Sequence, residues 1–382
     1  LRVDKEKMKP IKVMHISNIE KSNYYLNNLC DFTDRKLINF SFVTFAKRAG
    51  FVEDLEKRGC NSYALDAMER SKYPKAIKKL WKILKIENPD IVHLHLFDPT
   101  VIGLTLAKLQ KRKTILTRHH SDAIHQLPPM KKRFYLMLEN YINKNVDFII
   151  APSQMVRDIL VKWENVPENK IAVIPYGQTM ERFDRVTPEK INETKKALNI
   201  REDHLTLVCN SRLYHRKGHK YLFEAIAPLT KNGLKIKLFL VGEGTYKAEL
   251  EKMAKDLQIS DYVYFLGWRD DALEIMACAD IIVHPSLEDA LSSAVIESLM
   301  LEKPIIATDI SGVRDSLHNG DYGTIVPPAD ANAFRAALEE TIKNLDVARE
   351  KAKGGRKHIM EYMDAKKVAE QYTKCYQKLM NS

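Results

Sequence analysis

Short runs of β-branched and aliphatic residues alternate with longer amphipathic stretches along this chain, and the alternation runs through it twice. Ile11–Ile19, Ile38–Phe45, Asp90–Leu96, Lys113–His119, Asp147–Pro152 and Ile171–Pro175 are predicted strands, with helical patterns in the gaps. Strands that are nearly continuous in apolar residues, without an in–out alternation, belong to a parallel sheet covered on both faces by crossover helices. From Glu181 to Glu202 the sequence turns charged and the strand signal lapses. It resumes with His204–Asn210, Leu234–Val241, Tyr262–Gly267, Asp280–Pro285, Lys303–Thr308 and Gly323–Val326. The expected fold is therefore α/β, with two doubly wound domains over 1–180 and 181–360 facing each other across a cleft. A tyrosine- and lysine-rich helix at 361–382 is expected to pack back across them. Ligands of such sheets sit beyond the carboxyl ends of the strands.

The length of 382 residues suits two or three domains with proper cores. Five scattered cysteines without a Cys-x-x-Cys spacing argue for a reducing compartment and against a disulfide framework or a cysteine-bound zinc. The first ten residues are charged and lead straight into a strand, so no signal-peptide core is expected there. Runs such as Val101 to Ala107 fall far short of the ~20 residues of a spanning helix. These readings point to a cytoplasmic protein. Lys and Arg outnumber Asp and Glu by 61 to 50, a net charge of +11 that favours anionic partners without naming one.

Ser211-Arg212-Leu213-Tyr214-His215-Arg216-Lys217-Gly218 follows a predicted strand and leads into a helix predicted at Tyr221–Leu229. Arg212 offers a planar fork for two phosphate oxygens, Lys217 a mobile point charge, and the helix start beyond Gly218 adds unpaired N–H groups. An ordinary solvated basic loop has the same composition. The second segment, His284 to Met300, also follows a strand. Leu291-Ser292-Ser293 would present backbone N–H groups at a helix start, and Glu297 lies four residues past Ser293 on the same face. A carboxylate there can accept from two vicinal hydroxyls, while Asp289 faces whatever extends from the phosphates; capping and solvation are the plain alternatives.

In this order the pieces resemble the retaining glycosyltransferases of the GT-B class, family 4 (glycosyl transferases group 1) in particular, over nearly the whole chain. The marks are Pro89-Asp90-Ile91-Val92-His93, Ala151-Pro152-Ser153, Ile174-Pro175-Tyr176-Gly177, Ser211-Arg212-Leu213 to Lys217-Gly218, Val241-Gly242-Glu243-Gly244, Phe265-Leu266-Gly267, and Pro285-Ser286 to Glu297-Ser298-Leu299-Met300. The resemblance implies two Rossmann-like domains, acceptor-side then nucleotide-sugar-binding, and a metal-independent retaining transfer of a sugar from a UDP- or GDP-sugar to an acceptor hydroxyl. That acceptor is a sugar, a lipid-linked group or a small molecule, as in glycolipid or surface polysaccharide synthesis. It makes Arg212 and Lys217 the pyrophosphate clamp, Glu297 the ribose anchor and Asp289 the acid on the donor sugar. Gly218, Gly267 and the backbone of Leu291, Ser292 and Ser293 complete the nucleotide site. The family usually has glutamate where Asp289 stands, and Glu288 is one residue away. Within Thr117-Arg118-His119-His120, His120 fits the family's donor-contacting histidine, with His119 the near alternative.

His93 and His95 would share one face of a strand, but no third or fourth ligand is evident nearby and no Asp-x-Asp occurs, so neither metal nor cofactor is expected. Ser17 to Asn23 lacks the family's glycine pair, and Gly177 is followed by Gln178-Thr179-Met180 in place of Val-Asp. Lys75–Lys85 and Met130–Leu138 mix basic and apolar residues at near-helical spacing. Such stripes either rest on anionic lipid, giving peripheral attachment at the inner membrane face, or form the core faces of helices. The rival functions are a sugar-nucleotide epimerase of the same fold and a basic nucleic-acid or membrane-binding protein; nucleic acid is not an expected partner.

Overall fold

Residues 9–119, 128–289 and 291–381 are described by the structure, a computed structural model. They fall into two units, one holding the residues up to Thr179 together with those from Met363 on, the other running Met180–Tyr362.

In unit 1 the strands are β1 (Ile11–Ser17), β2 (Ile38–Thr44), β3 (Asn61–Ala64), β4 (Ile91–His95), β5 (Lys113–Thr117), β6 (Phe148–Ala151) and β7 (Ile171–Val173). They form one parallel sheet in the order β3-β2-β1-β4-β5-β6-β7. β6 and β7 end a residue or two before their apolar runs do, because Pro152 and Pro175 have no N–H to give to a ladder. β3 is absent from the predicted set: Asn-Ser-Tyr-Ala has no apolar run, and as an edge strand it is only half covered. β4 is buried throughout although it carries two histidines, and its register sets His93 beside His15 of β1.

The helix Ala365–Met380 packs in this unit. Asp364 caps it by accepting from the Lys367 N–H at 2.7 Å, and Tyr372 and Tyr376 are fully buried, with the Tyr25 hydroxyl donating to Tyr372 at 2.6 Å. Gly177 makes room where this helix passes, since a Cβ there would stand 3.0 Å from the Cα of Ala365 and push the helix back by a few tenths of an ångström. The two basic stripes separate in character. In the helix Tyr73–Glu87, Ala76, Leu80, Ile83 and Leu84 form the buried face and the lysines point to solvent. The helix Pro129–Asn145 buries only Glu139, Ile142 and Asn143; Glu139 pairs with the buried Arg118, which also holds Glu164 at 2.8 Å.

Unit 2 repeats the plan with β8 (Leu205–Asn210), β9 (Ile236–Val241), β10 (Val263–Gly267), β11 (Ile281–His284), β12 (Ile305–Thr308) and β13 (Thr324–Val326). All pairs are parallel, in the order β10-β9-β8-β11-β12-β13. Chain order reverses direction between β8 and β11, as it does between β1 and β4 in unit 1. The loops after β8 and β11 are therefore where a doubly wound sheet places its ligand.

Candidate functional site

The loop leaving β8 is pinned from beneath. Ser211 and Leu213 N–H groups donate to the carbonyls of Val241 and Glu243 at 3.0 and 2.9 Å, and the loop then closes into a single turn, His215–Lys217. Gly218 follows with φ +67°, and a Cβ there would lie 1.9 Å from the Pro285 carbonyl oxygen. Only glycine lets the β8 loop come this close to the end of β11. The helix His219–Lys231 starts directly after it.

This contact brings the two predicted segments together. Lys217, 7% exposed, reaches the carboxylate of Asp289 at 2.7 Å. Its neighbour Arg216 pairs with Glu288 at 3.2 Å, so the two adjacent acids are held by two adjacent cations. Leu287 N–H donates to the Arg216 carbonyl at 2.8 Å, and the buried Ser286 hydroxyl donates to the Glu288 carbonyl at 2.9 Å, which fixes the acidic turn against the basic one.

Glu297 lies one turn into the helix Ser293–Met300 and is 6% exposed. Arg182 donates to one carboxylate oxygen and the Asn210 side-chain amide to the other, each at 3.0 Å. Burial holds its carboxyl above the usual range, and Arg182 and Asn210 pull it back. Each oxygen keeps a further lone pair for a hydroxyl donor. Ser292, the residue before the helix, makes no side-chain cap, and Leu291 to Ser293 stand at the helix start. Gly267 ends β10 with φ +70° and accepts from the Gly242 N–H at 2.8 Å.

Two buried histidines floor this region. Burial pushes His284, the last residue of β11, down to about 4, and His219 down to about 3. His219 Nε2 meets the Ser211 hydroxyl at 3.1 Å, while its Nδ1 and His284 Nε2 have no hydrogen-bond partner among the described residues.

Arg212 differs from Lys217. It is exposed, its guanidinium lies 5.6 Å from the Tyr214 ring centre, and it makes no ion pair among the described residues. His120 lies outside the described residues. His119, two residues past β5, is half-buried and hydrogen-bonded to His95 at 3.0 Å and to the Tyr176 hydroxyl at 2.6 Å. The sequence shows no third ligand beside His93 and His95, yet β1 brings His15 to them, with ring nitrogens of all three within 4.8 Å of one another.

Comparison with known proteins shows the family. The family model for glycosyltransferase family 4 matches residues 24–182, and that for glycosyl transferases group 1 matches residues 190–358. The chain is a GT-B glycosyltransferase of the family 4 type. The putative glycosyltransferase EpsD of Bacillus subtilis (strain 168) is 28% identical over 302 residues, 77% of this chain and 78% of its own. The UDP-Gal:alpha-D-GlcNAc-diphosphoundecaprenol alpha-1,3-galactosyltransferase of Escherichia coli is 27% identical over 268 residues, 69% of each chain. Among solved structures, Anabaena Alr3699/HepE in complex with UDP superposes with a TM-score of 0.81 at 18% identity, over 96% of this chain and all of that one.

The candidate site of this glycosyltransferase also includes residues that sequence reasoning missed. Arg182 and Asn210 lie 115 and 87 residues from Glu297. Asn210, a polar residue closing an apolar strand, left a faint signal; Arg182, in a charged connecting segment, left none.

Proposed function

We propose that this glycosyltransferase moves a hexosyl group from a UDP- or GDP-sugar to an acceptor hydroxyl, with retention of configuration and without a metal ion. Unit 2 is the donor domain and unit 1 the acceptor domain in this reading. The observation that carries it is the meeting of the Lys217–Asp289 pair with the β8–β11 switch point, where Glu297 is also seated. Lys217 and Arg212 take diphosphate oxygens, aided by the backbone N–H groups of Leu291 to Ser293. Gly218 lets the β8 loop close on the end of β11, and Gly267 ends β10 with a positive φ. Glu297 accepts from the ribose hydroxyls, and Asp289 meets the donor sugar. Its link to Lys217 favours it over Glu288, which Arg216 occupies.

As the glycosidic bond breaks, negative charge grows on the leaving diphosphate. A lysine already held in place meets that charge without reorganising, which is where such sites gain most of their rate. Of its three ammonium protons one is engaged by Asp289, and the others are available to phosphate oxygens. Retention is the outcome the family resemblance implies.

Thermal unfolding with nucleoside diphosphates tests the donor. UDP or GDP at about 100 times its Kd should stabilise the protein by roughly 2.7 kcal/mol. If no nucleoside diphosphate moves Tm, the donor assignment fails. Release of diphosphate only when acceptor is present then separates transfer from epimerisation.

We infer too that the helix Pro129–Asn145 lies on an anionic membrane. Met130, Phe134, Met137 and Tyr141 recur at helical spacing and are 87, 53, 59 and 37% exposed, beside Lys131, Lys132 and Arg133. The Escherichia coli relative's lipid-linked acceptor is in keeping with this. No described helix is long and apolar enough to cross a membrane, so attachment would be peripheral, at the cytoplasmic face. Sedimentation with phosphatidylglycerol vesicles should exceed that with phosphatidylcholine, and Phe134→Glu should weaken it several-fold. Equal sedimentation with both lipids rejects the surface.

A further inference from the structure

Unit 1 buries a continuous line of hydrogen bonds at its own switch point, between β1, β4 and β5. His93 Nε2 meets the Thr117 hydroxyl at 2.8 Å and its Nδ1 the Tyr376 hydroxyl at 2.8 Å. Tyr376 reaches His15 Nε2 at 3.5 Å, and His15 Nδ1 meets His95 Nε2 at 2.9 Å. His95 Nδ1 meets His119 Nε2 at 3.0 Å, and His119 Nδ1 meets the Tyr176 hydroxyl at 2.6 Å. Every member from Thr117 to His95 is at most 1% exposed, whereas His119 and Tyr176 are half-buried.

A metal is the obvious occupant for three clustered histidines, but the geometry disfavours one. All six ring nitrogens of His15, His93 and His95 already have partners. The rings of His93 and His95 lie 4.5 Å apart and 20° from parallel, so their in-plane lone pairs do not converge on a point.

The alternative follows from counting protons. A neutral imidazole has one N–H and one bare nitrogen, and two nitrogens that face each other need one proton between them. Suppose Thr117 donates to His93. Then His93 gives its Nδ1 proton to Tyr376, Tyr376 donates to His15, and His15, His95 and His119 each pass an Nδ1 proton onward, ending at the Tyr176 oxygen. Reversing the direction puts every proton on Nε2 and makes Tyr176 the donor. Any mixed assignment leaves bare nitrogens or N–H groups opposed, or takes the Tyr376 proton out of the line.

We propose that His93, His15, His95 and His119 share one tautomer and switch it together, so that the buried line fixes whether the Tyr176 hydroxyl at the carboxyl end of the unit 1 sheet donates or accepts. His119 and Tyr176 are the members of the line that are not fully buried, so the line meets a ligand through them. The inference rests on the reading of unit 1 as the acceptor domain only in naming that ligand, a hydroxyl compound. His15, His93, His95 and Tyr376 are then positioning residues that act through His119 and Tyr176. Such a line offers a hydroxyl either polarity without placing a charge in the core.

The test is long-range proton–nitrogen NMR of the full chain labelled with ¹⁵N-histidine, without ligand, with each ring assigned by single His→Gln variants. The four rings should show one tautomer, all Nδ1–H or all Nε2–H; two of them differing at neutral pH overturns the proposal. Tyr376→Phe keeps the ring and removes the hydroxyl that joins His93 to His15. His93 should then lose its single tautomer while His15, His95 and His119 still match, and unchanged His93 signals count against the line. Cobalt(II) added to the wild type should give no visible ligand-field band; a band abolished by His15→Gln would establish a metal site instead. In a transfer assay, Tyr376→Phe should lower kcat several-fold with donor KM unmoved. Uniform tautomers with unaltered kcat would sever the line from transfer while leaving the donor reading intact.

Discussion

The carboxyl end of the unit 1 sheet holds a line of imidazoles, phenols and a threonine joined to one another and buried except at His119 and Tyr176, with its charges, Arg118, Glu139 and Glu164, paired among themselves, whereas the same end of unit 2 presents Lys217, Asp289 and Glu297 with Arg182 and Arg216 against them. Both sheets reverse their strand order at the corresponding place, so the scaffold is shared and the chemistry is not. Fixed charges suit a ligand that carries charge, above all a diphosphate whose charge grows as it leaves. Neutral groups that can donate or accept suit a hydroxyl. A fold alone does not choose between these tasks; the residues at the strand ends do.

The sharpest way to break this contrast is to neutralise the unit 2 end. Lys217→Ala should lower kcat by about 10²–10³-fold, the range seen when one fixed donor to a developing charge is lost. The variant also removes the Lys217–Asp289 pair, so Lys217→Ala/Asp289→Ala should lose less than the sum of the singles. Near-normal turnover in Lys217→Ala would mean the charge there is merely structural. Glu297→Ala should cost next most, about 10²-fold in kcat/KM, and should appear chiefly as weaker nucleotide binding by calorimetry. Arg212→Ala should cost only about tenfold, since an exposed cation is screened and must be ordered by the ligand. An Arg212→Ala effect larger than that of Lys217→Ala would invert the assignment of the clamp.

The architecture was legible because parallel strands covered on both sides must be apolar along their whole length. β3 escaped for the same physical reason, its sequence Asn-Ser-Tyr-Ala being that of a half-exposed edge. The loop cations and helix acids could be read because strand, loop and helix follow one another locally. Their partners could not: Arg182 reaches Glu297 only through the fold, and nothing in a spacing ties them. His93 and His95 stand out as a pair, yet the register of β1 against β4 is what adds His15 and turns a pair into a line.

Acid should separate the two units by a smaller, graded effect. Burial pushes His15 down to about 3 and holds His93 and His95 well below their ordinary value; in unit 2 it acts likewise on His219 and His284, at about 3 and about 4. A histidine whose folded value is depressed contributes its full stability above the unfolded value of about 6.5 and loses it as pH falls toward the folded value. At pH 5 His15, His219 and His284 should therefore each cost about 2 kcal/mol relative to neutral pH, with His93 and His95 acting in the same direction, because the unfolded chain takes up a proton that the folded one refuses. Each unit also holds a carboxyl raised by burial, Glu139 to about 7 in unit 1 and Glu297 in unit 2, which works in the opposite sense and offsets part of the loss in both. Glu139 offsets about one of the three rings of unit 1 over this window, so the order is set by the hydrogen-bonded line itself, in which a protonated ring opposes an N–H to a neighbour's N–H, and unit 1 should open first as pH is lowered from 7 to 5. Hydrogen exchange followed peptide by peptide would show this as protection lost in β1 and β4 before β8 and β11. Loss in the reverse order would mean that the neutral sheet end is the more acid-tolerant one, and the contrast drawn between the two ends would have to be rebuilt on solvent access instead of on charge.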